Sequence, residues 1–328
     1  MIQSILLLLA LIVTLTVMNY ANKQIIQGGV NIADVRVTQC FRGIAIMLVI
    51  MQHCAGGLGT NIFTPMGGVG VAMFLLLSGF GLTESYKKKG INGFVKGRLS
   101  KVWIPFALFY ICSQILRDRL VFSDMLLELF SIKQGLWYVH YMLRCYIVFW
   151  IAFRFFYKYR WIVFIAFAVY TFFGMDEIRA EQSLSFIAGI FISERIDSLL
   201  AMTKKKLFVV MLIMGLIGII SLAVKQMPWV REMSGTYVYS FVQLGIKLPL
   251  AIMVMIGSWL MLSKYGISSA LTMCGAISYE LYLVHIQMLG LVNSWSSAWM
   301  MICVSMLISY SLNPLFKIIQ DACTSNRG

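Results

Sequence analysis

The sequence predicts an all-α protein, a polytopic bundle of about eleven transmembrane helices. Of the 328 residues, 60% are hydrophobic and 12% are charged, and the mean hydropathy is +0.84. A soluble domain is about half apolar and about a quarter charged. The apolar residues fall in runs of roughly 15 to 24, the length at which a helix crosses a hydrocarbon core. A spanning chain must satisfy its backbone internally, and continuous runs favour helices over the alternating segments of a barrel.

The predicted spans alternate with short polar loops, and the run at 183–194 is the shortest. The first run is interpreted as a retained span rather than a signal peptide, because no basic segment precedes it and Lys23 follows it. The eleven spans lie near residues 3–20, 40–58, 66–84, 102–117, 136–153, 161–175, 183–194, 207–224, 241–263, 270–291 and 297–317.

The net charge of +14 is distributed unevenly among these loops. The loop 85–101 has six lysines and arginines, and the loops 154–160 and 195–206 are also basic, whereas 59–65 is uncharged and 175–182 is net negative. Such alternation is typical of the positive-inside rule. It predicts a cytoplasmic C-terminus and an external N-terminus, and it accounts for the charge without nucleic-acid binding.

The seven cysteines are odd in number and include no C-x-x-C pair. This pattern indicates apolar packing residues rather than a disulfide framework, and we predict no metal site. The expected organisation is an extra N-terminal span and loop at 1–35, one integral membrane domain at 36–318, and a short cytoplasmic tail at 319–328.

Ionisable residues inside predicted spans are functional hypotheses, because a charge in lipid is costly. They are Arg42, His53, His140, Arg144, Lys247, Glu280 and His285.

The stretch "CFRGIAIMLVIMQHC" carries two of these residues, Arg42 and His53. Eleven residues make three helical turns, so the two side chains share one face, about 16 Å apart along the axis. Gly43 and Ala45 permit a neighbouring helix to approach closely. The pair could form a site, or it could be a snorkelling arginine and a packed histidine.

Two further segments carry polar groups. Arg98 and Lys101 are neighbours if helical, and they could be topology anchors or could bind phosphate. Ser78 in "FLLLSGFGL" offers a hydroxyl, although a helical serine commonly bonds its own backbone.

The later spans add two helical faces. His140 and Arg144 share one of them, and Ser278, Tyr282 and His285 share another. Glu280 points away from that second face, and its expected partner is Lys247 or Arg144.

These stretches, in this order, resemble the membrane-bound acyltransferase-3 family of bacterial integral membrane acyltransferases. The resemblance lies in "RGIAIMLVIMQH", "FLLLSGF", "RLSKVWIP", the aromatic "LWYVHYMLRCYIVFW" and "SYELYLVH", and it extends from about residue 36 to 318. The family core has about ten spans, so the first span here is an addition. Lys101 departs from the family, which usually has a second arginine there, and lysine lacks the bidentate fork.

The resemblance implies an O-acyltransferase of the plasma (inner) membrane that moves an acyl group, most often acetyl, from acetyl-CoA. The acceptor would be a hydroxyl of a surface polysaccharide or a lipid-linked sugar. His53 would act as general base, since imidazole is neutral near pH 7, and an acyl-histidine relay is a variant of this scheme. Arg42 would be a second catalytic residue.

The remaining site residues receive supporting roles. Arg98, Lys101 and Arg144 are assigned to the acyl donor. Four further residues would bind the substrate or support the catalytic residues: Ser78, Tyr282, His285 and Glu280.

Two other functions remain open. One is a transporter or flippase whose buried arginine and histidine line a substrate path, although no internal repeat is evident. The other is a non-catalytic subunit of a glycan-synthesis complex.

Overall fold

The computed structural model describes residues 34–117, 121–130 and 135–325, and in this part of the chain it is helical without strands. The all-α prediction is therefore confirmed there, and the predicted span at 3–20 lies outside the described residues. The helices are α1 Val35–Gly57, α2 Thr64–Lys89, α3 Phe94–Arg98, α4 Ile104–Leu116, α5 Phe122–Leu129, α6 Trp137–Phe155, α7 Arg160–Gly174, α8 Glu177–Ala180, α9 Ser185–Glu194, α10 Ile196–Leu200, α11 Lys204–Gln226, α12 Pro228–Glu232, α13 Tyr237–Tyr265, α14 Ser269–Ala276, α15 Ser278–Met288 and α16 Trp295–Ser325.

Within the described residues, six helical segments are long and apolar enough to cross a membrane. They are Val35–Gly57, Thr64–Lys89, Phe94–Leu116, Lys204–Gln226, Tyr237–Tyr265 and Trp295–Ala322. The count of about eleven is not confirmed, because several predicted spans form shorter helices. The helix in the 183–194 run has only 10 residues, which gives a length of about 15 Å.

The predicted span 270–291 is divided into α14 and α15 rather than forming one helix. Ser278 Oγ donates to the carbonyl of Gly275 at 2.9 Å, next to the break at Ile277. A serine side chain that binds nearby backbone competes with the helical hydrogen-bond pattern. The second of these helices, α15, carries His285.

Helix α1 lies at the centre of the bundle and packs closely on α2 and α14. A Cβ atom added at Gly43 would collide with the carbonyl of Leu271, and one added at Gly275 would collide with the carbonyl of Gln39. The close approach expected at Gly43 is therefore present. Most of α1 is buried, whereas most of α11 is exposed and most of α13 is only partly buried.

A π-helical turn, Leu99–Trp103, joins α3 to α4. The N–H of Ile104 donates to the carbonyl of Leu99, five residues earlier. Pro105 explains the wider turn, because proline cannot donate to the fourth preceding carbonyl and its ring clashes there. Arg98 and Lys101 are consequently not the ordinary i, i+3 pair of an α-helix. Arg98 is half-buried and Lys101 is exposed.

Glu128 in α5 holds the start of α6. Its carboxylate accepts the N–H groups of Gly135 at 3.0 Å and Leu136 at 3.1 Å, and it contacts His140 Nε2 at 2.8 Å. Burial acts to raise the pKa of Glu128, but these hydrogen bonds outweigh it and the pKa is lowered. His140 therefore has a structural partner in the fold.

Candidate functional site

Two histidines, His53 of α1 and His285 of α15, meet in the bundle although 232 residues separate them. His53 Nδ1 lies 2.9 Å from His285 Nε2, and the two rings are nearly parallel, with centroids 5.1 Å apart. His285 is fully buried and His53 is half-buried. The structure thus brings together the predicted base and a residue predicted to support it.

The hydrogen-bond partners assign the tautomers of this pair. His285 Nδ1 lies 2.8 Å from the carbonyl oxygen of Leu281, which can only accept, so Nδ1 carries a hydrogen. Neutral His285 then accepts at Nε2, and His53 must donate from Nδ1. The remaining nitrogen of His53, Nε2, carries a lone pair and can accept a proton.

A cavity of about 280 Å³, the histidine cavity, adjoins this pair. Its lining includes His53, Gln52 and Tyr282 from the helices of the pair, and Glu181 and Lys247 from other segments. The lining segments include the start of α2, residues 177–182 and the end of α11. The charge pattern predicts that these segments all face the outside.

Tyr282 lies between the histidine pair and the aromatic interior. Its ring centroid is 5.8 Å from that of His285 and 5.2 Å from that of Tyr138. Tyr138 and Tyr282 are both buried, so aromatic rings fill the bundle directly beside the histidines.

A second pocket, the arginine pocket, surrounds Arg98 and has a volume of about 240 Å³. The Arg98 guanidinium lies 5.7 Å from the Phe94 ring centroid and 5.8 Å from that of Tyr146. Such distances are typical of cation–π contacts. Nε of Arg98 is buried, and no hydrogen-bond partner for it occurs in the described part of the chain. The hydroxyl of Tyr146, which lines this pocket, donates to Ser78 Oγ at 3.4 Å. Ser78 therefore lies next to the arginine pocket.

The family comparison agrees with this arrangement. A family model described as an acyltransferase domain matches residues 39–316, which is most of the chain and includes every predicted site residue. The chain belongs to the acyltransferase-3 family. No curated protein and no solved structure matches it. The protein is therefore a multi-pass membrane acyltransferase.

Arg42 and Lys101 of this acyltransferase are both exposed. Arg42 stands eleven residues before His53 on α1, about 16 Å along the helix, as the spacing predicted. Lys101 lies within electrostatic reach of Arg98, Lys89 and Asp321.

Arg144 faces away from the arginine pocket that holds Arg98. It lies two residues from Tyr146 on α6, which places it about 200° around the helix. Its Nη1 points to Met175 Sδ at 4.0 Å, whereas Tyr146 faces Arg98. The structure therefore gives no support for grouping Arg144 with Arg98.

The prediction that Glu280 pairs with Lys247 or Arg144 is wrong. Glu280 accepts a hydrogen bond from Asn313 Nδ2 at 2.9 Å, and Lys247 instead forms an ion pair with Glu181. Burial raises the pKa of Glu181, and Lys247 opposes the rise without cancelling it. Glu280 thus lies outside the residues that line the histidine cavity.

The sequence patterns do not predict the polar residues that complete the histidine cavity. Glu181 and Gln182 belong to "MDEIRAEQ", a segment whose pattern indicates only a net negative charge, and Gln243 precedes Lys247 by one turn. Gln182 Nε2 donates to the carbonyl of Gly68 at 2.9 Å. The available signal was Lys247 itself, because a lysine in an apolar helix requires a carboxylate from another segment.

Among the described residues, no group of three His, Cys, Asp or Glu side chains is placed to hold a metal ion. The six cysteines whose side chains are described are free. The chemistry that this part of the chain offers is a proton-accepting imidazole beside a polar cavity, with a cationic pocket elsewhere in the bundle.

Proposed function

We propose that the protein is an O-acyltransferase that moves an acyl group, acetyl in the simplest case, from acyl-CoA to a hydroxyl of a surface polysaccharide or lipid-linked sugar. The observation that carries this proposal is the hydrogen bond between His53 Nδ1 and His285 Nε2 beside a polar cavity that His53 lines, because this bond leaves His53 Nε2 with a lone pair. A hydroxyl acceptor must lose a proton to react, and a neutral imidazole is suited to remove it.

His53 acts as the general base in this scheme. The acceptor oxygen forms a bond to the thioester carbonyl carbon while His53 Nε2 takes the hydroxyl proton. The carbon–sulfur bond then breaks, and the proton on His53 passes to the departing thiolate. His285 orients the imidazole through the Nδ1 hydrogen bond and supports the transient positive charge. Transfer is direct, and the acyl-histidine relay is the competing variant.

Arg98 supports a cytoplasmic acyl-CoA donor. Its buried Nε is without a protein partner in the described residues, and a phosphate or carbonyl oxygen would satisfy it. Lys101 adds a second cation within electrostatic reach. Both residues belong to the loop 85–101, which has the largest lysine and arginine excess and which the positive-inside rule assigns to the cytoplasm.

The histidine cavity supports an acceptor that arrives from the opposite side. Its lining combines carboxylate, amide and ammonium groups with the indole of Trp137. Polar groups of this kind bind hydroxyl-rich ligands, and an aromatic ring offers a surface for their C–H groups. The proposed location is the plasma membrane, with the C-terminus in the cytoplasm.

Mass spectrometry of surface glycans, from cells with and without the gene, tests this function. We expect acyl esters that depend on the gene, that disappear in cells carrying His53→Gln, and that return with the unaltered gene. Identical glycans in the two strains, with the protein present in the membrane, would reject acyl transfer to this acceptor class.

A further inference from the structure

We propose that the histidine cavity recognises an uncharged sugar residue of the acceptor, and that Gln243 is the residue that selects it. This inference rests on the proposed O-acyl transfer, and it adds the charge class of the acceptor and a specificity-determining residue.

The charged groups that line the cavity balance one another. Glu177, Glu181, Lys225 and Lys247 contribute two negative and two positive formal charges, which sum to zero. Lys247 is paired with Glu181, and Glu177 Oε2 accepts the N–H of Gly235 at 2.8 Å. Sites for carboxylate or phosphate groups carry an excess of cationic donors. An acidic sugar would add a negative charge to a lining whose formal charges already sum to zero.

Gln243 is an uncharged amide that this balanced lining leaves available. It is 7% exposed and lines the cavity, and no hydrogen bond from its amide to protein occurs in the described residues. An amide offers two donors and an acceptor oxygen, which together match a hydroxyl or an N-acetyl group without adding charge. A buried amide of this kind favours a ligand that satisfies it.

The other cavity glutamines are used by the protein itself. Gln182 donates to the carbonyl of Gly68 and accepts from Ser185 Oγ at 2.9 Å. Gln52 Oε1 accepts the N–H of Gly68 at 3.3 Å. These two side chains shape the backbone at the start of α2, whereas Gln243 is left for the ligand.

The position of Gln243 suits recognition of a sugar that reaches His53. Gln243 and Lys247 are i, i+4 on α13 and therefore project from the same face. The amide consequently lies beside the Lys247–Glu181 pair, in the cavity that His53 and Trp137 also line.

The first test locates the ester. Glycans from cells that carry the gene, and from cells that carry His53→Gln, are compared by tandem mass spectrometry. We expect the ester that requires His53 on a neutral sugar. An ester on a uronic acid, a sialic acid or a phosphorylated sugar overturns the inference but leaves acyl transfer intact. The absence of any such ester overturns both.

The second test measures the role of Gln243. Membranes from cells lacking the gene supply unmodified acceptor at graded concentrations, and purified protein transfers labelled acetyl from acetyl-CoA. Gln243→Met, which keeps the length but loses the amide, should raise the acceptor KM about tenfold with kcat and acetyl-CoA binding nearly unchanged. Gln226→Met makes the same change at an exposed position outside the cavity and should leave KM unaltered.

A second variant guards against poor folding of the first. Gln243→Ser keeps a polar side chain that is too short to reach the same ligand, and we expect the same rise in KM. An unchanged acceptor KM in either variant overturns the role of Gln243. A fall in kcat together with weaker acetyl-CoA binding overturns it as well, because such a change would not be specific to the acceptor.

Discussion

Replacing His53 by glutamine removes the proposed base and keeps a polar side chain of similar reach. Glutamine can donate and accept hydrogen bonds, but it cannot take a proton near neutral pH. Its amide can still donate to His285 Nε2, which now receives a hydrogen bond from His53 Nδ1 at 2.9 Å. The substitution therefore separates proton transfer from packing.

The expected loss follows from the role of each histidine. General base catalysis contributes about 10²- to 10⁴-fold, so His53→Gln should lower turnover by that factor. His285→Leu leaves the Nδ1–H of His53 without its acceptor, which costs about 1–3 kcal/mol, or roughly 5- to 150-fold. The smaller factor reflects that His285 acts through His53.

The assay is acetyl transfer per folded molecule, with binding of acetyl-CoA measured separately. Donor binding should survive in both variants, because Arg98 lies in a pocket that neither histidine lines. His140→Gln is the matched control, since His140 is a buried histidine held by Glu128. This control should lower thermal stability without lowering turnover per folded molecule.

The double variant tests whether His285 acts only through His53. If His285 acts through His53, then His53→Gln combined with His285→Leu should be no slower than His53→Gln alone. Near-parent turnover by His53→Gln would remove His53 from the base role. Additive losses in the double variant would show that His285 has an independent role.

Three further predictions concern topology, the donor and acid stability. Cysteines placed at Lys88 and Lys205 should resist impermeant labels added outside intact cells, because both positions lie in basic loops; external labelling of either would reject the topology. Replacing Arg98 and Lys101 together by alanine should weaken acetyl-CoA binding at unchanged protein level, and equal affinity would make them topology anchors only. The pKa of Glu128 is held below its usual 4.5 in the folded state, so its stabilising effect is present above that value and is lost as the pH falls below it. Glu128→Gln should flatten the acid limb of the thermal unfolding midpoint, and an unchanged acid limb would contradict this role.

Local sequence patterns determined the features that depend on composition and helical period. The apolar runs identified an all-α membrane protein, and the eleven-residue interval placed Arg42 and His53 on one face of α1. Gly43 indicated a close helix contact, and the motifs around His53 and His285 identified the family that the comparison confirms. Each of these properties is encoded within a few consecutive turns.

Tertiary structure alone decided which distant side chains meet. The His53–His285 contact and the Lys247–Glu181 pair join separate helices, and no periodicity within one helix specifies its partner. The same limit explains the wrong partners predicted for Glu280, and the missed role of "MDEIRAEQ" in lining the cavity. The break between α14 and α15 also escaped the hydropathy pattern, because a serine hydrogen bond to backbone interrupts a helix without making it polar. The packing of α1 against its neighbours then sets the distances on which the proposed chemistry depends.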